Sequence, residues 1–203
     1  MYVAIAGNIG SGKTTLTNML SEHFGWTPVY ENIDNNPYIS DFYEDMRRWA
    51  FNLQIYFLHR RFEHVIESCK KYDNLVQDRT LYEDAYIFAP NLHSMGLLSS
   101  RDYETYRSLF NLMISLTPKP DILIYLKASV PTLINLITKR GRDYEASIRL
   151  DYITSLNKRY DDWVNSYEGK KIIVDVDNMN FVDNPEDFGV VVEKINAEIN
   201  GLF

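Results

Sequence analysis

A strand, a glycine-rich loop and a helix follow one another at the very start of the chain. Residues 2–7 read YVAIAG, an apolar run typical of a buried strand. The stretch GNIGSGKT then fits G-x-x-x-x-G-K-[ST], and an apolar face at helical spacing begins at Lys13. Such a loop points successive N–H groups at phosphate oxygens, and the helix start adds partial positive charge.

The loop predicts a bound nucleoside triphosphate. We expect Lys13 to neutralise β/γ-phosphate charge and Thr14 to offer its hydroxyl to Mg²⁺. The predicted ATP-binding residues are Gly7, Asn8, Ile9, Gly10, Ser11, Gly12, Lys13, Thr14 and Thr15. A chance glycine-rich turn is the alternative, and the flanking strand and helix argue against it. The loop by itself does not separate a kinase from a switch or a motor.

Strands and helices alternate along the rest of the chain. Further strands are predicted at residues 27–32, 74–78, 121–128 and 170–176. Helices are predicted at 13–24, from Asn36-Pro37 onward, and at 47–71, 82–95, 100–116, 131–140, 148–167 and from about Pro185. This order favours one α/β domain over residues 1–203, with a five-stranded parallel sheet and helices on both faces. Ligands of such sheets lie at the carboxyl ends of the strands.

Composition argues against several classes of protein. The net charge of −7 opposes a broad nucleic-acid surface. No apolar run approaches the roughly 20 residues of a membrane span, and no signal-peptide pattern precedes the first strand. The one cysteine excludes an internal disulfide. We therefore expect a cytoplasmic protein without nucleic-acid or membrane partners.

Two carboxylates fall at predicted strand ends near the loop. Glu31 closes the second predicted strand, and Asp78 closes the third. Asp78 is placed to hold Mg²⁺ with Thr14. Glu31 is placed to take a proton from an acceptor hydroxyl, a step that phosphorylation of an alcohol requires. On spacing alone, a solvated strand terminus explains Glu31 equally well.

A basic cluster interrupts this acidic chain at KRGRDYEASIR, residues 139–149. A lid that carries arginines over the phosphates would stabilise transition-state charge as an arginine finger does, and we predict one at about 139–147. A helix C-terminus also favours basic residues. That alternative accounts for Lys139 and Arg140 and less readily for Arg142.

Several segments together resemble the deoxynucleoside kinase family, in the branch of deoxycytidine, deoxyguanosine and bacterial deoxyadenosine kinases. They are GNIGSGKT, the strand-end Glu31, FYEDMRRWAFNLQIYFLHRRF, QDRTLYEDAYIFA and KRGRDYE, which occur in family order from residue 7 to about residue 160. The resemblance implies a P-loop kinase fold and phosphorylation of a deoxynucleoside 5′-hydroxyl, with ATP as donor and Mg²⁺.

The resemblance also implies roles for single residues. Glu31 matches the general base and Arg79 the arginine that contacts the 5′-hydroxyl, and both would touch the nucleoside. The other implied nucleoside contacts are Tyr43 and Glu145 to the sugar, Gln54 to the base edge, Arg61 and Asp84 behind the base, and Phe88 stacked on it. The implied catalytic set is Glu31, Arg79, Lys13 and the lid residues Arg140 and Arg142. Asp78 stands where the family often has Glu, and Leu136 where it has a further lid arginine.

Three other functions stay open from the sequence. They are a nucleoside monophosphate kinase of the thymidylate kinase type, a nucleotide-binding regulator without phosphoryl transfer, and a small-metabolite kinase of the shikimate type. The strand-end Glu31 argues against the first. The aromatic-rich RWAFNLQIYF segment argues against the last, because aromatic rings suit a flat base.

Base preference and assembly are also predicted. An ionised Asp84 offers an acceptor, which favours a base with an exocyclic amine, and the resemblance to bacterial purine enzymes favours deoxyadenosine. The helices at 47–71 and 102–116 carry more apolar residues than one buried face needs. Examples are Tyr56, Phe62, Tyr106, Phe110 and Met113. We expect a homodimer, as in the family.

Overall fold

The computed structural model describes residues 1–31, 36–142, 145 and 148–201. Within these ranges the strands are β1 (Tyr2–Gly7), β2 (Thr27–Val29), β3 (Leu75–Asp78), β4 (Ile122–Lys127) and β5 (Lys171–Asp175). They form a five-stranded sheet in the order β2-β3-β1-β4-β5, and all neighbouring pairs are parallel. The predicted α/β class and five-stranded parallel sheet are confirmed.

Helices cover both faces of the sheet. They are α1 (Lys13–Phe24), α2 (Ile39–Glu44), α3 (Met46–Lys71), α4 (Leu81–Glu83), a π-helical turn (Asp84–Phe88), α5 (Ala89–Ser94), α6 (Ser100–Ile114), α7 (Val130–Arg140), α8 (Leu150–Ser166) and α9 (Pro185–Asn200). Most match the predicted helices to within a few residues. None of these helices is long and apolar enough to cross a membrane.

The helix predicted near 82–95 is three pieces instead of one. Pro90 lacks an N–H and cannot bond to the carbonyl four residues before it, which disfavours a regular α-helix across this point. The N–H of Ala89 donates to the carbonyl of Asp84, five residues back, as in a π-turn. The turn carries Asp84 and Phe88, and both are buried.

The central strand β1 is buried on both sides. Val3 and Ile5 pack with apolar residues of α1 and α9. Ala4 and Ala6 pack on the other side, with apolar residues of α3, α5, α6 and α8. A parallel strand covered on both faces reads as a continuous apolar run, which is why YVAIAG was readable as a strand. Its carboxyl end opens between β3 and β4, where the glycine-rich loop begins.

The strand β2 is shorter than predicted. It ends at Val29, which pairs with Gln77, so the prediction that Glu31 closes the strand is wrong. Glu31 therefore lies two residues past the strand. Arg79, which follows β3 directly, has a left-handed φ of 69°.

Two of the residues that suggested an extra apolar surface are core residues. Tyr106 and Phe110 are 0% and 3% exposed within one chain, so the prediction is wrong for them. Tyr56, Phe62 and Met113 are partly buried. The exposed apolar residues nearby are Tyr86, Leu112 and Leu116, at 51%, 64% and 63%.

The predicted lid is described in part. Lys139 and Arg140 end α7, Gly141 caps it with a φ of 68°, and Arg142 follows. Glu145 is also described, whereas residues 143, 144, 146 and 147 of the predicted lid lie outside the described ranges.

Candidate active site

The carboxyl edge of the sheet borders a cavity of about 640 Å³. Nearly all predicted site residues line it. They are Ile9, Gly10, Ser11, Gly12, Lys13, Thr14, Thr15, Glu31, Tyr43, Gln54, Arg61, Asp78, Arg79, Asp84, Phe88, Arg140, Arg142 and Glu145. Gly7 and Asn8, also predicted to bind ATP, do not line the cavity. Residues far apart in sequence thus converge on one space, at the end of the sheet where a ligand was expected.

The loop between β1 and α1 needs glycine at its tightest points. Gly10 and Gly12 have φ values of 85° and 92°, which side chains disfavour. A Cβ on Gly10 would also lie 2.6 Å from Cγ1 of Ile137 in α7. The loop therefore packs directly against α7 and places Lys13 at the first turn of α1.

Lys13 is tied to the loop that precedes it. Its Nζ donates to the carbonyls of Gly7 and Asn8, at 2.8 and 3.0 Å. The Asn8 side chain donates to the carbonyl of Ile153 and to Asn157, at 3.2 and 3.1 Å, which fixes the loop to α8. The lysine is therefore held in place by backbone oxygens.

Burial and the Arg79 charge lower the pKa of Lys13 to about 8. Carboxylates at Asp78 and Glu83 oppose this shift. Within the described ranges, no carboxylate oxygen comes within the 4.0 Å of an ion pair with Lys13. A buried ammonium without a paired anion is suited to receive an anionic ligand.

Glu31 faces two buried arginines. Nη1 and Nη2 of Arg61 both donate to its Oε1 at 2.9 Å. Nε of Arg79 lies 3.3 Å from Oε2, an ion-pair contact that lacks hydrogen-bond geometry. Burial raises the pKa of Glu31, but Arg79 and Arg61 outweigh burial and lower this pKa to about 2. Glu31 is thus a buried, ionised hydrogen-bond acceptor and not a solvated strand terminus.

Arg61 joins Glu31 to a second carboxylate. Its Nε and Nη2 donate to the two oxygens of Asp84, at 2.5 and 2.9 Å. Burial raises the pKa of Asp84, and Arg61 works against that rise. The guanidinium also lies 5.0 Å from the ring centre of Phe57. The paired charges predicted behind the base are therefore in contact.

Arg79 has an unusual backbone. It is the one non-glycine residue with positive φ in the described part of the chain. Such a conformation costs of the order of 1–3 kcal/mol and persists where the surroundings over-determine it. The guanidinium lies 4.5 Å from the ring centre of Phe88, in the cavity wall. With this backbone, the Arg79 side chain lines the cavity and contacts Glu31.

The two residues predicted to hold Mg²⁺, Thr14 and Asp78, contact each other. Thr14 Oγ1 donates to Oδ2 of Asp78 at 2.5 Å, and Oδ1 of Asp78 is buried without a partner among the described residues. Burial raises the pKa of Asp78, and Lys13 opposes the rise. No group of three His, Cys, Asp or Glu suited to a metal occurs in the described ranges. Mg²⁺ on phosphates typically takes one or two carboxylates, so the pair fits.

Gln54 also lines the cavity. It is 2% exposed, and its Oε1 has no partner within the described residues. Gln54 and Arg61 share one face of α3, seven residues apart, as predicted. An amide side chain with a free acceptor is suited to a ligand that donates a hydrogen bond.

The lid arginines contact Glu145. Nε and Nη2 of Arg140 donate to its two oxygens, at 3.1 and 2.5 Å. Nη1 of Arg142 lies 3.7 Å from Oε1. Leu136 and Lys139 line the cavity beside them. The residue predicted to hold the sugar is therefore paired with the residues predicted to hold phosphate.

Sequence analysis missed two features of the site. One is Glu83, a fully buried carboxylate behind the loop, which T-x-x-E in TLYE signals as a capping box with Thr80. The other is the segment 179–183, which lines the cavity beside the loop. Phe181 lies 3.4 Å from where a Cβ on Gly12 would stand. No motif in the sequence marked this segment.

Comparisons with known proteins agree on one family. The model of the deoxynucleoside kinase family matches residues 3–200. A deoxyadenosine/deoxycytidine kinase of Bacillus subtilis is 34% identical over 201 residues, which cover 98% of this chain and 93% of that protein. A deoxyguanosine kinase of Lactobacillus acidophilus is 37% identical, covering 95% and 88%. A solved structure of deoxyadenosine kinase from M. mycoides with bound dATP has a TM-score of 0.85 at 32% identity, covering 97% of this chain and 100% of that one.

The lowered pKa of Lys13 predicts proton uptake on binding a polyphosphate. Phosphate oxygens favour the charged lysine, so binding raises its pKa from about 8. Affinity for ATP should be full below pH 8 and fall as the pH rises above it. Calorimetry at pH 9 in two buffers of different ionisation enthalpy should show net uptake approaching one proton.

Lys13→Arg is the matched control for this titration, because arginine stays charged at pH 9. It should bind without the proton uptake, even if more weakly. Wild-type binding without proton uptake, or equal uptake in both proteins, would contradict the prediction.

Proposed function

The chain belongs to the deoxynucleoside kinase family, and from that premise we propose that it transfers the γ-phosphoryl group of ATP to the 5′-hydroxyl of a deoxynucleoside, deoxyadenosine first. The observation that carries the proposal is the position of Glu31. It lines the same cavity as the phosphate loop and Gln54, and Arg61 and Arg79 hold its carboxylate there. An alcohol bound in this cavity beside the phosphate loop meets an ionised carboxylate.

The residues divide the reaction between them. Thr14 and Asp78 would hold Mg²⁺, which neutralises charge on the phosphate oxygens when it is bound. Lys13 holds the same phosphates at the start of α1, and Arg140 and Arg142 approach from the lid. Such charges, fixed in advance, act where negative charge spreads in the transition state.

Glu31 orients the acceptor hydroxyl and receives its proton. With a pKa of about 2 it is ionised at every working pH, so it accepts a hydrogen bond from the hydroxyl. It is a weak base while both arginines face it. The hydroxyl becomes acidic only as its bond to phosphorus forms, so a weak base suffices late in the step.

A nucleoside monophosphate kinase fits this cavity less well. Its acceptor carries a phosphate, which needs free cations near the position of Glu31. Arg61 and Arg79 are there, but both already face Glu31. The carboxylate would also repel an acceptor phosphate.

An assay distinguishes the proposed kinase from a nucleotide-binding regulator that lacks phosphoryl transfer. The protein is incubated with Mg²⁺-ATP and deoxyadenosine, and only the kinase forms the monophosphate.

Replacing the proposed base should separate binding from turnover. Glu31→Gln is expected to keep ATP binding and to lower kcat by roughly 100-fold or more, the scale of a lost general base. Steady-state kinetics measure kcat, and calorimetry measures ATP binding. A kcat near that of the wild type would remove Glu31 from the mechanism.

Two hydrogen-bond acceptors in the cavity wall support an amine-bearing base. Gln54 Oε1 is unpartnered in the described part of the chain, and Asp84 has further acceptor capacity beyond Arg61. The exocyclic amine of adenine or cytosine satisfies such acceptors, whereas the carbonyl of thymine leaves them unpaired. Between the two, deoxyadenosine is favoured by similarity to a deoxyadenosine kinase of Lactobacillus acidophilus and to the solved deoxyadenosine kinase of M. mycoides.

We expect deoxyadenosine to have the highest kcat/KM, deoxyguanosine or deoxycytidine to follow, and thymidine to be the poorest substrate. A buried polar group left without a partner can discriminate strongly between substrates. Competition assays at saturating Mg²⁺-ATP measure the order. Thymidine as the best substrate would show that Asp84 does not face the base.

The exposed apolar residues Tyr86, Leu112 and Leu116, with the partly buried Met113, support a homodimer; we call these four the α6 surface. Leu112 lies in the last turn of α6 and Leu116 two residues past its end, and apolar side chains this exposed lose water contact when a second copy covers them. The fold supplies no covering element within the described ranges.

The double variant Leu112→Glu and Leu116→Glu should therefore be a monomer, since charges buried in the contact oppose association. Sedimentation at micromolar concentration measures the mass. Leu150→Glu is the control, because Leu150 is 62% exposed and lies on α8. A wild-type species of 23.8 kDa would defeat the dimer proposal.

A further inference from the structure

One buried carboxylate has no part in the chemistry proposed above. Glu83, at the end of α4, is 0% exposed. Its Oε1 accepts from the N–H of Gly7 at 3.3 Å and from the hydroxyl of Tyr160 at 2.8 Å. Its Oε2 accepts from the N–H and the hydroxyl of Thr80, at 2.7 and 3.3 Å. The side chain thus joins the end of β1, the turn after β3 and the middle of α8.

The contact with Gly7 connects Glu83 to Lys13 and the loop proposed to bind the phosphate donor. Gly7 gives its N–H to Glu83 and its carbonyl to Nζ of Lys13, at 2.8 Å. The two contacts fix both polar groups of the residue that opens the phosphate loop. The position of Lys13 therefore depends on the peptide that Glu83 holds.

The contact with Thr80 connects Glu83 to Arg79, which faces the proposed base Glu31. Arg79 has left-handed φ, and its own N–H donates to the carbonyl of Ile5 at 2.9 Å. The next N–H, that of Thr80, donates to Glu83. Both peptides that flank Arg79 are therefore tied, which over-determines its strained backbone and aims its guanidinium at Glu31.

A capping box explains only part of this arrangement. It accounts for Thr80 and Glu83, which are three residues apart. It does not account for Gly7 and Tyr160, which are 76 and 77 residues away from Glu83. The long-range contacts add no capping, but they connect the two sides of the site.

The contacts require a carboxylate. Each oxygen of Glu83 faces one backbone N–H, that of Gly7 or that of Thr80, which can only donate, so an amide of equal size would turn its NH₂ toward one of these donors. Burial raises the pKa of Glu83, and Arg79 and Lys13 oppose that rise. In the described ranges no basic nitrogen lies within 4.0 Å of a carboxylate oxygen of Glu83, so Arg79 and Lys13 act on Glu83 from a greater distance than that of an ion pair.

We propose that Glu83 is a positioning residue that holds Lys13 and Arg79 in register, so that phosphate donor and acceptor hydroxyl meet in line. The inference rests on the proposed kinase reaction. Glu83 touches neither substrate, since it does not line the cavity. Its loss should therefore lower kcat and leave the nucleoside pocket around Gln54 and Phe88 intact.

The test compares Glu83→Gln with Thr80→Ala, which removes only the hydroxyl of the capping box. We expect Glu83→Gln to lower kcat at least 30-fold while KM for deoxyadenosine stays within threefold. Thr80→Ala should lower the urea midpoint of unfolding and keep kcat within threefold. A purely structural role predicts that both variants lose kcat in proportion to their loss of stability, which would overturn the proposal.

Glu83→Asp keeps the experiment decisive if the amide variant does not fold. It retains the buried charge but is one methylene too short to reach Gly7 and Thr80 together. A fivefold or greater loss of kcat with unchanged nucleoside KM supports the proposal, and wild-type kcat overturns it. A wild-type protein that forms no monophosphate would refute the kinase reaction itself, which is a separate outcome.

Discussion

The contact of Glu31 with Arg61 and Arg79 is the interaction on which the site depends. Each charge is buried, and a buried charge is tolerated only with a partner in good geometry. Glu31 follows β2, Arg61 comes from α3, Arg79 from the end of β3 and, through Arg61, Asp84 from the π-turn. Removing one member leaves another uncompensated, so four elements must reach their places together. The same contact explains why Glu31 stays ionised and why the cavity has a polar wall beside an apolar core.

Much of the fold was predictable because its signals are local. YVAIAG is apolar at every position since both faces of β1 are covered, and the loop motif stands between a strand and a helix. The residues of the site were predictable mainly through the resemblance, which matched Gln54, Arg61 and Asp84 in order. Spacing placed Gln54 and Arg61 on one face of α3. For Glu31, spacing could not decide between a catalytic carboxylate and a solvated strand terminus. The arginines that decide this question lie 30 and 48 positions further along the chain.

What the sequence could not predict depends on contacts between distant residues. β2 ends at Val29, where its pairing with β3 stops, and no local pattern in the following residues marks that point. Tyr106 looked like surplus surface because helical periodicity shows that a face is apolar and not what covers it. Glu83 was readable as a helix cap, a local role that hides its partners in the loop and in α8. In each case the local reading was reasonable and incomplete.

The charge of the cavity explains how an acidic protein can take an anionic ligand. The site brings together five buried carboxylates and three buried cations, namely Glu31, Asp78, Glu83, Asp84 and Glu145 with Lys13, Arg61 and Arg79. Arg61 and Arg79 are engaged by carboxylates, which leaves Lys13 as the one of the three without an ion pair among the described residues, so a triphosphate needs further positive charge. In the proposed reaction Mg²⁺ on Thr14 and Asp78 would supply part of it, and the arginines of the predicted lid would supply the rest. Arg140 and Arg142 are paired with Glu145, so phosphate must compete with that carboxylate for them. In the proposed reaction that exchange would free Glu145 to bind the sugar, the role that the resemblance gives it, so that phosphate binding and nucleoside binding would be linked through one carboxylate.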